Sequence, residues 1–178
     1  LDATNANPDT RNWNTSAVTN MDRMFYDASS ATPDTSNWDT SAVTNMNSMF
    51  GGAINANPDT SSWDFTQVIT MSEMFSGVTL PTATYSDLLI QLDAQDVNSN
   101  VELDGGNSQY NAAGTIARQT LIDDHGWVIT DGGPAATDTG SLICEDTCVF
   151  DLGTGQTLSL SLNGSCEESG LDDVANPV

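Results

Sequence analysis

The chain has 178 residues, with 25 aspartates and glutamates against three arginines and no lysine, for a formal net charge of −22. That field repels nucleic acid and anionic membranes, which are bound through Lys/Arg clusters, and it favours divalent cations or basic partners. No run of 18 apolar residues offers a membrane-spanning helix, and the length suits one or two small domains.

Three nearly identical segments open the chain. NWNTSAVTNMDRMF ends at Phe25, NWDTSAVTNMNSMF at Phe50 and SWDFTQVITMSEMF at Phe75. At this fixed 25-residue period the shared positions include Pro8/Pro33/Pro58, Asp9/Asp34/Asp59, Thr10/Thr35/Thr60 and Trp13/Trp38/Trp63. They continue through Val18/Val43/Val68, Met21/Met46/Met71, Met24/Met49/Met74 and Phe25/Phe50/Phe75. Three copies without an insertion predict a solenoid, in which each unit buries its apolar face by stacking on its neighbours. Val, Met, Met and Phe fall at i, i+3, i+6 and i+7, which predicts a short helix over 18–26 in the first copy. Thr15/Thr40 or Ser16/Ser41 would cap it, and the Pro-Asp-Thr segment before each Trp reads as extended. The methionines all occupy these slots, as gap-fillers between units. Leu1 stands 25 residues before Tyr26, so the register predicts further repeats upstream.

The W(D/N)TSxVTxMxxMF unit resembles the repeat of BspA-like surface proteins, distant relatives of the leucine-rich repeats, over residues 1 to about 80. The resemblance implies an LRR-like α/β solenoid on an extracellular, cell-surface protein that adheres to or binds other proteins. It carries no catalytic residue to transfer.

Residues 81–133 break the period and predict a cap. A helix starting near Ser86 turns Leu88, Leu89 and Leu92 inward, and a strand in NVELDGG closes at Gly105-Gly106. A second helix turns Ile116, Thr120 and Leu121 inward and stops at Gly126, and WVITDGG supplies a last strand. Similar AR..LI..GW.ITDGG tails end the arrays of the BspA-like proteins, so the segment is expected to shield one end. Residues 134–141 are a linker by composition, and 142–178 a small cysteine-bearing module in which TLSLSLNG alternates like a half-buried strand. The disulfide candidates Cys144, Cys148 and Cys166 all fall there, and their odd number leaves one thiol for a partner outside the chain.

Chemistry-bearing patterns are sparse. Asp96, Asn98, Asn100, Glu102 and Asp104 alternate like the oxygen ligands of a calcium loop. The glycine and bidentate glutamate that such a loop needs at its sixth and twelfth positions are Val101 and Asn107, which favours a polar hairpin loop. Calcium is the one cofactor this pattern suggests. The single histidine, His125, sits at a helix end beside Asp123 and Asp124 with no nucleophile motif around it, which suits a helix-dipole role. Asn14 and Asn163 head N-x-S/T sequons. Trp13, Trp38 and Trp63 form either an inward aromatic row or an outward platform for a repetitive glycan, and their place in the apolar pattern favours the inward reading.

The sequence therefore predicts a non-enzymatic extracellular structural or adhesive surface protein acting through protein–protein contacts. Its partners would be surface proteins or further subunits, with a homopolymeric surface filament as a variant. The alternative is a calcium-dependent glycan- or receptor-binding module; nucleic acid and membrane insertion are not expected.

Overall fold

The computed structural model describes residues 4–136 and the backbone of 147–151 and 157–161. The chain divides into two compact units, Leu1–Thr137 and Asp138–Val178.

In the first unit the three copies lie side by side, joined by a ladder of main-chain hydrogen bonds. The amides of Met21, Arg23, Phe25 and Asp27 donate to the carbonyls of Asn45, Asn47, Met49 and Gly51 at 2.7–3.0 Å. One copy on, Met46, Ser48, Phe50 and Gly52 donate to Thr70, Ser72, Met74 and Ser76. Isolated parallel bridges join Asn20 to Asn45 and Asn45 to Thr70.

The expected helix over 18–26 is absent, and a run of tight turns occupies this segment in every copy. The reason lies in where the amides go. Every second one is committed laterally, and those between close i+3 turns, as in Met24 to Met21, Tyr26 to Arg23 and Ala28 to Phe25. No amide remains for an i−4 ladder. Arg23, Ser48 and Glu73 take positive φ (55°, 51° and 56°), as do Asp27, Gly52 and Gly77. Each is the third residue of a turn, where a type II turn demands a left-handed residue. Nor do Thr15 and Thr40 cap helices. Their hydroxyls donate to the carbonyls of Asp39 and Asp64 in the next copy and accept those residues' amides, all at 2.8–2.9 Å. The stretch before each Trp is irregular and contains no strand.

The apolar slots still point inward. Trp38, Trp63, Val43, Val68, Met46, Met71, Met49, Met74, Phe50 and Phe75 are buried. Trp13, Trp38 and Trp63 stack nearly parallel at 5.9 and 6.1 Å, and Phe25, Phe50 and Phe75 form a second column at 5.5 Å spacing.

Four elements follow: α1 (Thr82–Asp93), β1 (Glu102–Asp104), α2 (Ala112–Asp123) and β2 (Val128–Thr130). β1 continues the ladder, accepting the amides of Met71 and Phe75 at Glu102 and Asp104, and pairs in parallel with β2. α1 begins four residues before the expected Ser86, with Pro81 as its N-cap residue. It buries Leu88, Leu89 and Leu92 as expected, together with Tyr85 and Ser86. α2 is capped by Asn111, whose side chain accepts the Gly114 amide. Its buried face is Gly114, Ala117 and Leu121; Ile116, expected inward, is 62% exposed, and Thr120 is half-buried. Glycine holds position 114 because a Cβ there would meet Tyr110 at 3.0 Å and Ser86 of α1 at 3.2 Å, leaving no room for bulk.

Pro134 and Ala135, placed in the linker by composition, pair with Tyr110 and belong to the first unit. In the second unit β3 (Thr147–Asp151) pairs antiparallel with β4 (Thr157–Ser161). The alternation in TLSLSLNG marked β4. β3, which contains Cys148, carried no comparable pattern. The side chains of Cys144, Cys148, Cys166 and Asn163 lie outside the described residues.

Candidate interaction surface

The side chains between the inward slots form rows along the ladder. Aspartates and asparagines serve as turn-formers: Asp9, Asp34 and Asp59 each accept the amide two residues on, from Arg11, Ser36 and Ser61. Asn14, Asp39 and Asp64 do the same with Ser16, Ser41 and Thr66, whose hydroxyls also donate to the same oxygen at 2.6–2.8 Å. For Asp9, Asp34, Asp39 and Asp59 these donors favour the ionised form. The Arg11 side chain and amide hold the Asp9 carboxyl at about 2, while the serine hydroxyl and amide two residues on hold Asp34, Asp39 and Asp59 below the usual carboxylate range. Most of the acid in this part of the chain is thereby explained by turn geometry, and the result is an exposed, regularly spaced anionic face.

The two faces across the stack differ. Against β1 and α1 the third copy is closed. Phe65 stands where the earlier copies have threonine, and its amide is met by the Gln95 side chain at 2.8 Å. Gln91 and Gln95 both donate to the Trp63 carbonyl, and the Asn98 amide group donates to Thr66 and Val68. Behind them Arg118 donates to Asp131 at 2.8 Å and to the Ile129 carbonyl, and lies over the Tyr110 ring. Tyr85 also donates to Asp131, and burial, reinforced by that carboxylate, drives its phenol well above the usual range. The first copy is open on the opposite side. Trp13 is 40% exposed where Trp38 and Trp63 are 2%, and Val18 and Met24 are half-buried where their counterparts are buried. Only two of the three tryptophans are therefore fully inward; Trp13 stacks on Trp38 and Phe25 by one face.

A cleft of about 490 Å³ lies between Pro58, Asp59 and Ser61 of the third copy and Asp87, Ile90 and Gln91 of α1.

The calcium-loop pattern does not converge. Asn98 is occupied with the third copy, Asn100 is left-handed (φ 60°) with its amide on the His125 carbonyl, Glu102 accepts Ser72, and Asp104 accepts the Gly106 amide. Among the described residues no group of three or more His, Cys, Asp and Glu is placed to hold a metal. His125 follows α2, half-buried, its carbonyl fixing the Asn100 loop. Asn14 is exposed, with its side-chain oxygen in the Ser16 turn. The Arg118–Asp131–Tyr85 clamp went unseen in the sequence. The unusual arginine in a chain with only three could have flagged it.

No helix among the described residues is long and apolar enough to cross a membrane. Neither a curated protein nor a solved structure matches the chain. A family model matches residues 1–102, the three copies and the first part of the cap. The chain belongs to the family described as "Mycoplasma protein of unknown function, DUF285".

Proposed function

We propose that this is a non-enzymatic extracellular surface protein of the BspA-like, LRR-like kind, structural or adhesive, acting through protein–protein contacts. The observation that carries the reading is the laddered stack of three copies. It spends its apolar residues on cross-copy packing and turns ordered rows of ionised aspartate outward. A rigid periodic anionic face suits a basic protein surface, with attraction that steers encounter and weakens with salt. Asp9, Asp34, Asp39 and Asp59 are held by turn donors that lower their pKa.

The test is binding of the full chain to immobilised extracellular proteins and to glycans, at low and high ionic strength. The reading expects saturable protein binding that falls steeply between 50 and 500 mM salt on the order of the Debye screening change. Binding confined to glycans and dependent on calcium would replace it with the alternative module, and turnover of a substrate would overturn it.

A further inference from the structure

The cleft between the third copy and α1 opens where the cap stops following the repeat. In the first two copies the hydroxyls of Thr10 and Thr35 donate to the carbonyls 24 residues on, at Asp34 and Asp59. The same step from Thr60 lands on Thr84, inside α1, where a helical carbonyl is taken by the amide four residues on. Thr60 is only 6% exposed, and its hydroxyl has no hydrogen-bond partner among the described residues. No unpartnered side-chain nitrogen or oxygen among them is sealed from solvent, so this hydroxyl opens on the cleft of about 490 Å³ that Thr60 lines. Each wall also brings a carboxylate, Asp59 from the third copy and Asp87 from α1. Asp59 accepts the Ser61 amide, while Asp87 is exposed with no hydrogen-bond or ion-pair partner among the described residues. Every other lining residue is neutral. The chain supplies no cation here: it has no lysine, and its three arginines lie against Asp9, the Tyr26 ring and Asp131.

We propose that this cleft receives an arginine side chain of a partner protein. The inference rests on the protein-binding reading above and names the group that one part of the surface recognises. A guanidinium is a planar fork of N–H donors, suited to carboxylates on two walls with the Thr60 hydroxyl as a further acceptor. Gln91 spends its side-chain N–H on the Trp63 carbonyl and keeps its side-chain oxygen without a donor among the described residues. Ile90, 39% exposed on the α1 wall, and Pro58 on the other offer apolar surface to the methylene stem. Two other occupants fit less well. Calcium takes about six to eight oxygens, several of them from carboxylates, and no third acid joins the pair. A sugar gains nothing from the two charges and finds no aromatic ring in the lining to stack on.

The test titrates the isotope-labelled full chain with the peptide acetyl-Gly-Arg-Gly-amide and with its citrulline counterpart, which keeps the shape and loses the charge. The methyl signals of Thr60 and Ile90 and the side-chain amide of Gln91 report the cleft. The proposal expects saturable shifts of these signals by the arginine peptide, with a Kd on the order of 1 mM, and none by the citrulline peptide. Asp87→Asn should weaken the binding about tenfold, the loss of one hydrogen bond to a charged group, without moving the melting temperature. Asp59→Asn, which keeps an acceptor for the Ser61 amide, should weaken it similarly. Equal binding of the two peptides, no shift with either, or shifts spread along the aspartate rows would overturn the proposal. So would calcium chloride that shifts the same signals and displaces the arginine peptide. The wider reading fails separately. Binding of extracellular proteins that survives Asp87→Asn, with no arginine-peptide binding, overturns this inference alone; arginine-peptide binding with no protein bound overturns the wider reading.

Discussion

The equivalent tryptophans separate burial from position. Trp38 and Trp63 fill the space between two neighbours, whereas Trp13 has a neighbour on one side. Trp63→Ala is expected to cost about 3–5 kcal/mol, as large-to-small changes of buried aromatics do, and Trp13→Ala clearly less. Denaturant titration of the two variants checks the order, and equal losses would contradict it. The Arg118–Asp131 pair is largely buried, with Asp131 side-chain exposure of 3%. Arg118→Ala leaves that carboxylate without its cation and should destabilise by about 3 kcal/mol. The titrations set the pH range. Aspartates whose folded pKa lies below the unfolded 3.8 contribute stability that is present above that value and is lost as pH falls towards about 2. Tyr85, raised above its unfolded 10.0, contributes stability that is full below pH 10 and is lost above it. Thermal melts should therefore fall off on both flanks, and Tyr85→Phe should remove that tyrosine's part of the alkaline loss.

At the scale of elements the turns control the ladder, and glycine tests them. Gly106 (φ 64°) faces the carbonyls of Phe75 and Val78 where a Cβ would sit, while Gly77 (φ 74°) faces open space. Gly77→Ala should cost about 1–2 kcal/mol, the left-handed penalty alone, and Gly106→Ala more, since two carbonyls must also move. Calorimetry of both variants orders them. The elements also show what could be read without coordinates. The 25-residue period, the inward Val-Met-Met-Phe slots and the cap order of helix, strand, helix, strand were legible, because burial leaves its mark as hydrophobic spacing. The helix over 18–26 was misread because consecutive turns and a helix place residues i, i+3 and i+7 on one side alike. The residue types did not mark the difference: the left-handed slots inside the segment hold Arg23, Ser48 and Glu73, and Gly52 and Gly77 fall just past it, where a helix stop would also place them. Ile116 misled for a different reason: α2 packs through Gly114 and Ala117, whose smallness is invisible to a hydrophobicity count. The clamp of Arg118, Asp131 and Tyr85 joins residues up to 46 positions apart, a distance over which sequence spacing carries no signal.

For the whole molecule, the account holds that the three copies are one laterally bonded stack, closed by β1 on one side and open on the other. Thr15 and Thr40 knit the copies, and Phe65 hands over to Gln95. The departure of the third copy at Phe65 then has a physical cause in the cap it meets. The most direct measurement is the scalar coupling across hydrogen bonds in an NMR spectrum of the labelled protein. The account predicts correlations from the Met46 amide to the Thr70 carbonyl and from the Phe50 amide to the Met74 carbonyl. Couplings running instead from each amide in 43–51 to the carbonyl four residues earlier would mean a helix in every copy, and would contradict it.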